Sequence, residues 1–161
     1  MKHLSNLDNL IFSLKKKKIK LCIAESLTGG SLAYEFVKKQ GASNFFEFSI
    51  VCYSNDSKNT FFGIKEGIDK FGVVSKEVAK LMIKRLDRYT STKKNLKFSC
   101  TGYAGPNKNS SDIEVGTVYI GLGYMNKIKV FKKKFKNYGR KYIINKTINV
   151  LIDEGQKIIN L

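Results

Sequence analysis

A chain of 161 residues, 42% of them hydrophobic, is long enough to bury a substantial core, and the proportion is ordinary for a globular domain spanning 1–161. It contains no apolar run of the roughly 18 residues that a membrane helix requires, and its N-terminus lacks the basic-then-apolar order of a secretory signal, so a cytoplasmic protein is expected. The net charge of +17, with runs at Lys15–Lys18 and Lys132–Lys134, raises the question of nucleic acid, but no nucleic-acid motif accompanies it; solvated lysine faces are the favoured reading, and the positive field would steer a phosphorylated small molecule.

Leu4, Leu7, Leu10, Ile11 and Leu14 recur at helical spacing and predict an amphipathic first helix. Leu21–Ala24 reads as a short buried strand. It runs into Glu25-Ser26-Leu27-Thr28-Gly29-Gly30, a tight turn with a hydroxyl at the carboxyl end of a strand, where open α/β sheets bind their ligands. The helix that follows, to about Gln40, would leave backbone donors free near Thr28–Gly30 for an oxyanion or a phosphate. The same residues also read as a plain helix cap.

A strand over about Phe45–Tyr53 leads to Ser54-Asn55-Asp56, good N-cap chemistry that starts a short helix and puts Lys58 in its first turn. The positive end of a helix lowers a lysine pKa there. At the ordinary value of about 10.4, only about one lysine in a thousand is neutral near pH 7.4. With His3 the single histidine and close to the terminus, a Ser-His-Asp triad is disfavoured and lysine is the natural base for Ser26; a solvated surface lysine is the alternative. Phe45, Phe46, Phe61 and Phe62 read as core or subunit contacts.

Ser75, with Glu77 behind it, opens a helix through Val78, Leu81, Met82 and Leu86 toward Tyr89. Leu96–Thr101 is a strand, Val115–Tyr124 and Lys127–Lys136 a hairpin about Met125-Asn126, and about Arg140–Ile159 the last helix. Cys22, Cys52 and Cys100 each lie in an apolar strand-like run, which fits buried reduced thiols better than a disulfide frame or a zinc site. The alternation predicts an α/β fold: a single-domain three-layer αβα sandwich with a mixed, largely parallel sheet.

Glu25–Gly30, Tyr53-Ser54-Asn55 with Lys58, Gly72–Ser75, Thr101–Pro106 and Val115–Val118 together resemble the CinA C-terminal domain family over most of the chain. The resemblance implies a nicotinamide-nucleotide amidase: Ser26 as nucleophile, Lys58 as base, Tyr53 and Thr101 as supporting polar groups, and no metal or other cofactor. It implies a substrate-binding set of Glu25, Thr28, Gly29, Gly30, Asn55, Gly102, Gly105 and Arg140, nicotinamide mononucleotide as the substrate, and a homo-oligomer, a dimer being favoured. The chain departs from the family pattern at Asn107–Glu114, in place of a glycine-rich loop, at Gly139, in place of an aspartate before Arg140, and at Ile144, where an arginine is expected. A catalytically silent nucleotide-binding or regulatory member is the rival reading, and a basic nucleic-acid-binding domain the more distant one.

Overall fold

The computed structural model describes residues 5–105 and 113–160. The first helix, α1 (Asn6–Lys17), starts where Ser5 Oγ accepts the Asp8 N–H and ends at Lys18, whose N–H reaches the carbonyls of Leu14 and Lys15. Strand β1 (Lys20–Glu25) follows, then α2 (Ser31–Val37), a 3-10 turn (Ala42–Asn44) and β2 (Phe46–Val51). Helices α3 (Asn55–Phe62), α4 (Lys65–Phe71) and α5 (Lys76–Arg85) come next, with a 3-10 turn at Leu86–Tyr89. Strands β3 (Asn95–Gly102), β4 (Thr117–Tyr124) and β5 (Lys127–Lys134) precede α6 (Arg140–Ile158).

One five-stranded sheet has the order β2-β1-β3-β4-β5. β1 pairs in parallel with both β2 and β3, while β4 runs antiparallel to β3 and to β5. The sheet is therefore mixed, with a parallel core. Because successive side chains of a strand point to opposite faces, β1 feeds two cores. Leu21 and Ile23 join Leu10, Leu14, Leu32, Phe36 and Leu151 from α1, α2 and α6. Cys22 and Ala24 join Phe62, Val78 and Met82 from α3 and α5. These two apolar layers make the expected three-layer sandwich in a single α/β domain.

Local chemistry explains where elements begin and end differently from the sequence expectation. Helix α2 stops at Val37 instead of continuing to Gln40, with Gly41 at φ 75° opening the next turn. β4 begins at Thr117 rather than Val115, because Gly116 turns the chain at φ 92°. β5 ends at Lys134, and the last turn before Tyr89 is 3-10. Helix α4 has no counterpart in the sequence reading: its N-cap, Ile64, makes no side-chain cap bond, and Gly67 lowers its helix propensity. His3, Leu4, Pro106 and Asn107–Asp112 lie outside the described residues.

The parallel pairing fixes where chemistry can sit. The carboxyl ends of β2, β1 and β3 share one edge, so the segments after them, at Tyr53, Ser26 and Gly102, converge there with β1 central. Residues distant in the chain thus become neighbours.

Candidate active site

Ser26 stands on the turn after β1 and keeps 7% of its surface exposed. Lys58 rises from α3, whose N-cap Ser54 accepts the Ser57 N–H through its Oγ at 3.0 Å. The lysine side chain is only 1% exposed. Its Nζ lies 2.9 Å from Ser26 Oγ and donates to the carbonyls of Cys52 at 2.8 Å and Tyr53 at 3.0 Å. No carboxylate forms an ion pair with it among the described residues. Burial pushes the Lys58 pKa below the ordinary lysine value, and among the described residues no salt bridge opposes that shift.

The three partners define two usable states of the amine. Carbonyls can only accept, so in the neutral form they take the two N–H groups and leave the lone pair for the Ser26 hydroxyl proton. In the protonated form the third N–H points at Oγ. The same geometry therefore serves a base before proton transfer and an acid after it.

Ser26 and Lys58 open into a cavity of about 410 Å³ walled by Leu27, Val73, Val74 and Ala104, with Tyr53, Asn55, Thr101, Gly102, Gly105 and Arg140 also lining it. Thr101 Oγ1 donates to the Val73 carbonyl at 2.8 Å and so fixes one wall. Gly102 is demanded by packing: a Cβ there would sit 2.7 Å from Val118 Cγ2 and 2.9 Å from the Thr117 carbonyl oxygen. Tyr53 is 57% exposed at the mouth. Arg140 donates to its hydroxyl, lies over its ring with Cζ 5.8 Å from the centroid, and donates to the Gly105 carbonyl at 3.2 Å. The guanidinium thus straps α6 across the rim.

Four expected site residues lie outside this cavity. Glu25 is fully buried beneath the turn, and its carboxylate accepts from Thr28 Oγ1 and the Gly30 N–H. The Gly29 N–H is bonded to the Ser26 carbonyl at 3.1 Å. The backbone of Thr28 bonds the Cys100 thiol. The donors expected to be free at Thr28, Gly29 and Gly30 are therefore spent inside the protein, on the Cys100 thiol, the Ser26 carbonyl and the buried Glu25 carboxylate in turn. Leu27 lines the cavity instead, and its N–H makes no hydrogen bond among the described residues.

All three cysteines are free and buried. Desolvation pushes Cys22 and Cys52 up to about 12 and raises Cys100 as well, so none offers a thiolate near neutrality. Cys100 sits behind the turn with its sulfur 3.3 Å from Thr28 Oγ1, apart from the cavity lining. Among the described residues no cluster of three His, Cys, Asp or Glu side chains could hold a metal ion. A wider groove of about 680 Å³ between α1, α2 and α6 carries lysines too, but Lys38 and Lys39 there are paired with Glu35 and Asp8. Sequence reasoning missed Leu27, Val73, Val74 and Ala104 as cavity walls; the Val-Val pair beside Ser75 was the available signal.

The CinA C-terminal domain model matches residues 5–157 of this sequence. The chain belongs to the CinA C-terminal domain family. A CinA-like protein of Flavobacterium psychrophilum is 38% identical over 143 residues, 87% of this chain and 33% of the relative. Another, from Fusobacterium nucleatum, is 39% identical over 134 residues, 81% of this chain and 32% of the relative. The CinA domain described here thus spans about a third of the length of these curated relatives. Solved structures agree on the fold: a CinA superfamily protein of Klebsiella pneumoniae superposes with a TM-score of 0.90 at 18% identity over 96% of both chains. A competence/damage inducible protein of Agrobacterium tumefaciens gives 0.87 at 24% identity over 100% of this CinA domain and 99% of its own chain.

Proposed function

We propose that this CinA domain is an amidohydrolase that converts nicotinamide mononucleotide to nicotinate mononucleotide and ammonia. The observation that carries the reading is a buried amine, held below its ordinary pKa and free of any carboxylate partner among the described residues, 2.9 Å from a serine hydroxyl that lines a cavity. Such a pair is an activated nucleophile. The apolar walls suit a flat pyridine ring, and the polar rim at Asn55, Tyr53 and Arg140 suits the ribose phosphate.

In this mechanism Lys58 takes the Ser26 proton while Oγ bonds to the carboxamide carbon. The Leu27 N–H, on the residue after the nucleophile and without a hydrogen bond among the described residues, would meet the oxyanion. The tetrahedral intermediate collapses with cleavage of the C–N bond, and the nitrogen leaves as ammonia with the proton returned by Lys58. Water then attacks the Ser26 ester, giving its proton to Lys58, and the carboxylate product departs as the proton returns to Oγ.

Incubation of the purified protein with nicotinamide mononucleotide and measurement of ammonia tests the proposal. Ser26→Ala is expected to abolish release, and Lys58→Ala to reduce it by about 10²–10⁴-fold, the usual contribution of a positioned base. Equal release by wild type and Ser26→Ala rules out the serine mechanism. Nucleotide binding without any ammonia marks a silent binding module instead.

A further inference from the structure

We infer that Glu25 is the positioning residue of the nucleophile turn, and that its carboxylate occupies the α2 N-terminus in place of any substrate anion. The inference rests on the reading of Ser26 as a nucleophile and adds the device that holds it. Glu25 is the residue before Ser26 and is fully buried. Its Oε2 accepts from Thr28 Oγ1 at 2.8 Å, the Gly30 N–H at 2.9 Å and the Leu32 N–H at 3.1 Å. Its Oε1 accepts from the Ala33 N–H and from Ser49 Oγ, both at 2.9 Å. Among the described residues, five donors and no cation partner satisfy this buried carboxylate.

Each bond has a geometric consequence. Thr28 and Gly30 are the far side of the turn that carries Ser26, so tying them to Glu25 fixes the path between the two ends. Leu32 and Ala33 belong to the first turn of α2, and Ser49 to β2, so the same carboxylate clamps the turn between a helix and a neighbouring strand. The Glu25 carbonyl accepts the Cys52 N–H at 2.8 Å, and the Cys52 carbonyl accepts from Lys58 Nζ at 2.8 Å. Side chain and backbone of one residue therefore set the relative position of hydroxyl and amine. The cationic end of α2, where a phosphate could otherwise bind, is already neutralised from within. A substrate anion must be met elsewhere.

Glutamine cannot reproduce this arrangement. Hydroxyls can rotate to accept, but the N–H groups of Gly30, Leu32 and Ala33 cannot reverse. The backbone donors fall on both carboxylate oxygens, so an amide NH2 faces at least one of them in either orientation. Glu25→Gln should leave the core intact while displacing Ser26.

The test uses a fluorophosphonate probe on the purified protein, with labelling of Ser26 followed by peptide mass spectrometry, beside ammonia release from nicotinamide mononucleotide. Glu25→Gln that is folded by circular dichroism should label at least about tenfold more slowly than wild type, since small misplacements of a reacting group cost about that much or more. Its kcat should fall in step while KM stays within about twofold. If Glu25→Gln fails to fold, Ser49→Ala, which removes a single donor at β2, should slow labelling about two- to fivefold with KM kept. Unchanged labelling in the folded variant overturns the proposal, as does a rise in KM at constant kcat, which would make Glu25 a substrate contact. Wild type that labels at Ser26 yet releases no ammonia removes the amidase reading and leaves the positioning role standing. Wild type that resists the probe removes the nucleophile and the positioning role with it.

Discussion

At the scale of the residue, the chemistry reduces to the environment of one amine. Lys58 is enclosed by carbonyl oxygens and a hydroxyl, and burial disfavours its charged form. The rate should therefore rise with pH as the amine loses its proton: kcat/KM against pH is expected to show an ascending limb centred below the ordinary lysine value of 10.5. Stability follows the same group. A lysine whose folded pKa lies below its unfolded one weakens the fold while both states are protonated, and the penalty lifts as pH rises through the folded value toward 10.5. Chemical denaturation across that window should show wild type gaining stability relative to Lys58→Met; a flat difference would mean that the amine carries no such burden. Ser26 and Lys58 were legible in the sequence because Ser26 ends an apolar strand at a glycine turn and Lys58 follows an apolar strand and a capping serine. The role of Glu25 was not, since its partners at Leu32, Ala33 and Ser49 meet it only after α2 and β2 have packed.

At the scale of the element, caps and turns decide boundaries that periodicity leaves open. The Ser5, Ser54 and Ser75 caps all form; those at Ser54 and Ser75 were readable as a serine ahead of a helix, whereas Ser5 falls inside the apolar run that begins at Leu4. The end of α1 is less favourable, because Lys18 adopts φ 52°, a conformation that suits glycine. Lys18→Gly is expected to stabilise the protein by about 1 kcal/mol and to raise its melting temperature by about 2–4 °C for a domain of this size. An unchanged or lower melting temperature by calorimetry would show that the Lys18 side chain contributes more than its backbone costs. Helix α4 escaped the sequence reading because seven residues with a glycine and no side-chain cap carry little local signal. Its formation depends on its neighbours in the tertiary structure.

At the scale of the whole molecule, charge and topology act separately. Thirty basic residues against 13 acidic ones leave a surface that repels itself. Screening should relieve that repulsion, so the melting temperature is expected to rise between low and moderate sodium chloride in a thermal-shift series, and a fall would place the net effect on the exposed ion pairs instead. Topology sets the site: with β1 between β2 and β3, all in parallel, three strand ends that are far apart in the chain meet at one cavity. Among the described residues no helix is long and apolar enough to cross a membrane.

The amino-acid sequence determined the α/β alternation, most of the helices and strands, and the pairing of a serine turn with a lysine helix, because these are written in local periodicity, capping residues and apolar runs. The tertiary structure decided which donors remain free. Glu25 folds under its own turn and consumes the α2 N-terminus, leaving Leu27 and the Arg140 strap facing the cavity. Hydrogen bonds between segments distant in the chain depend on three-dimensional proximity, and no local pattern encodes it.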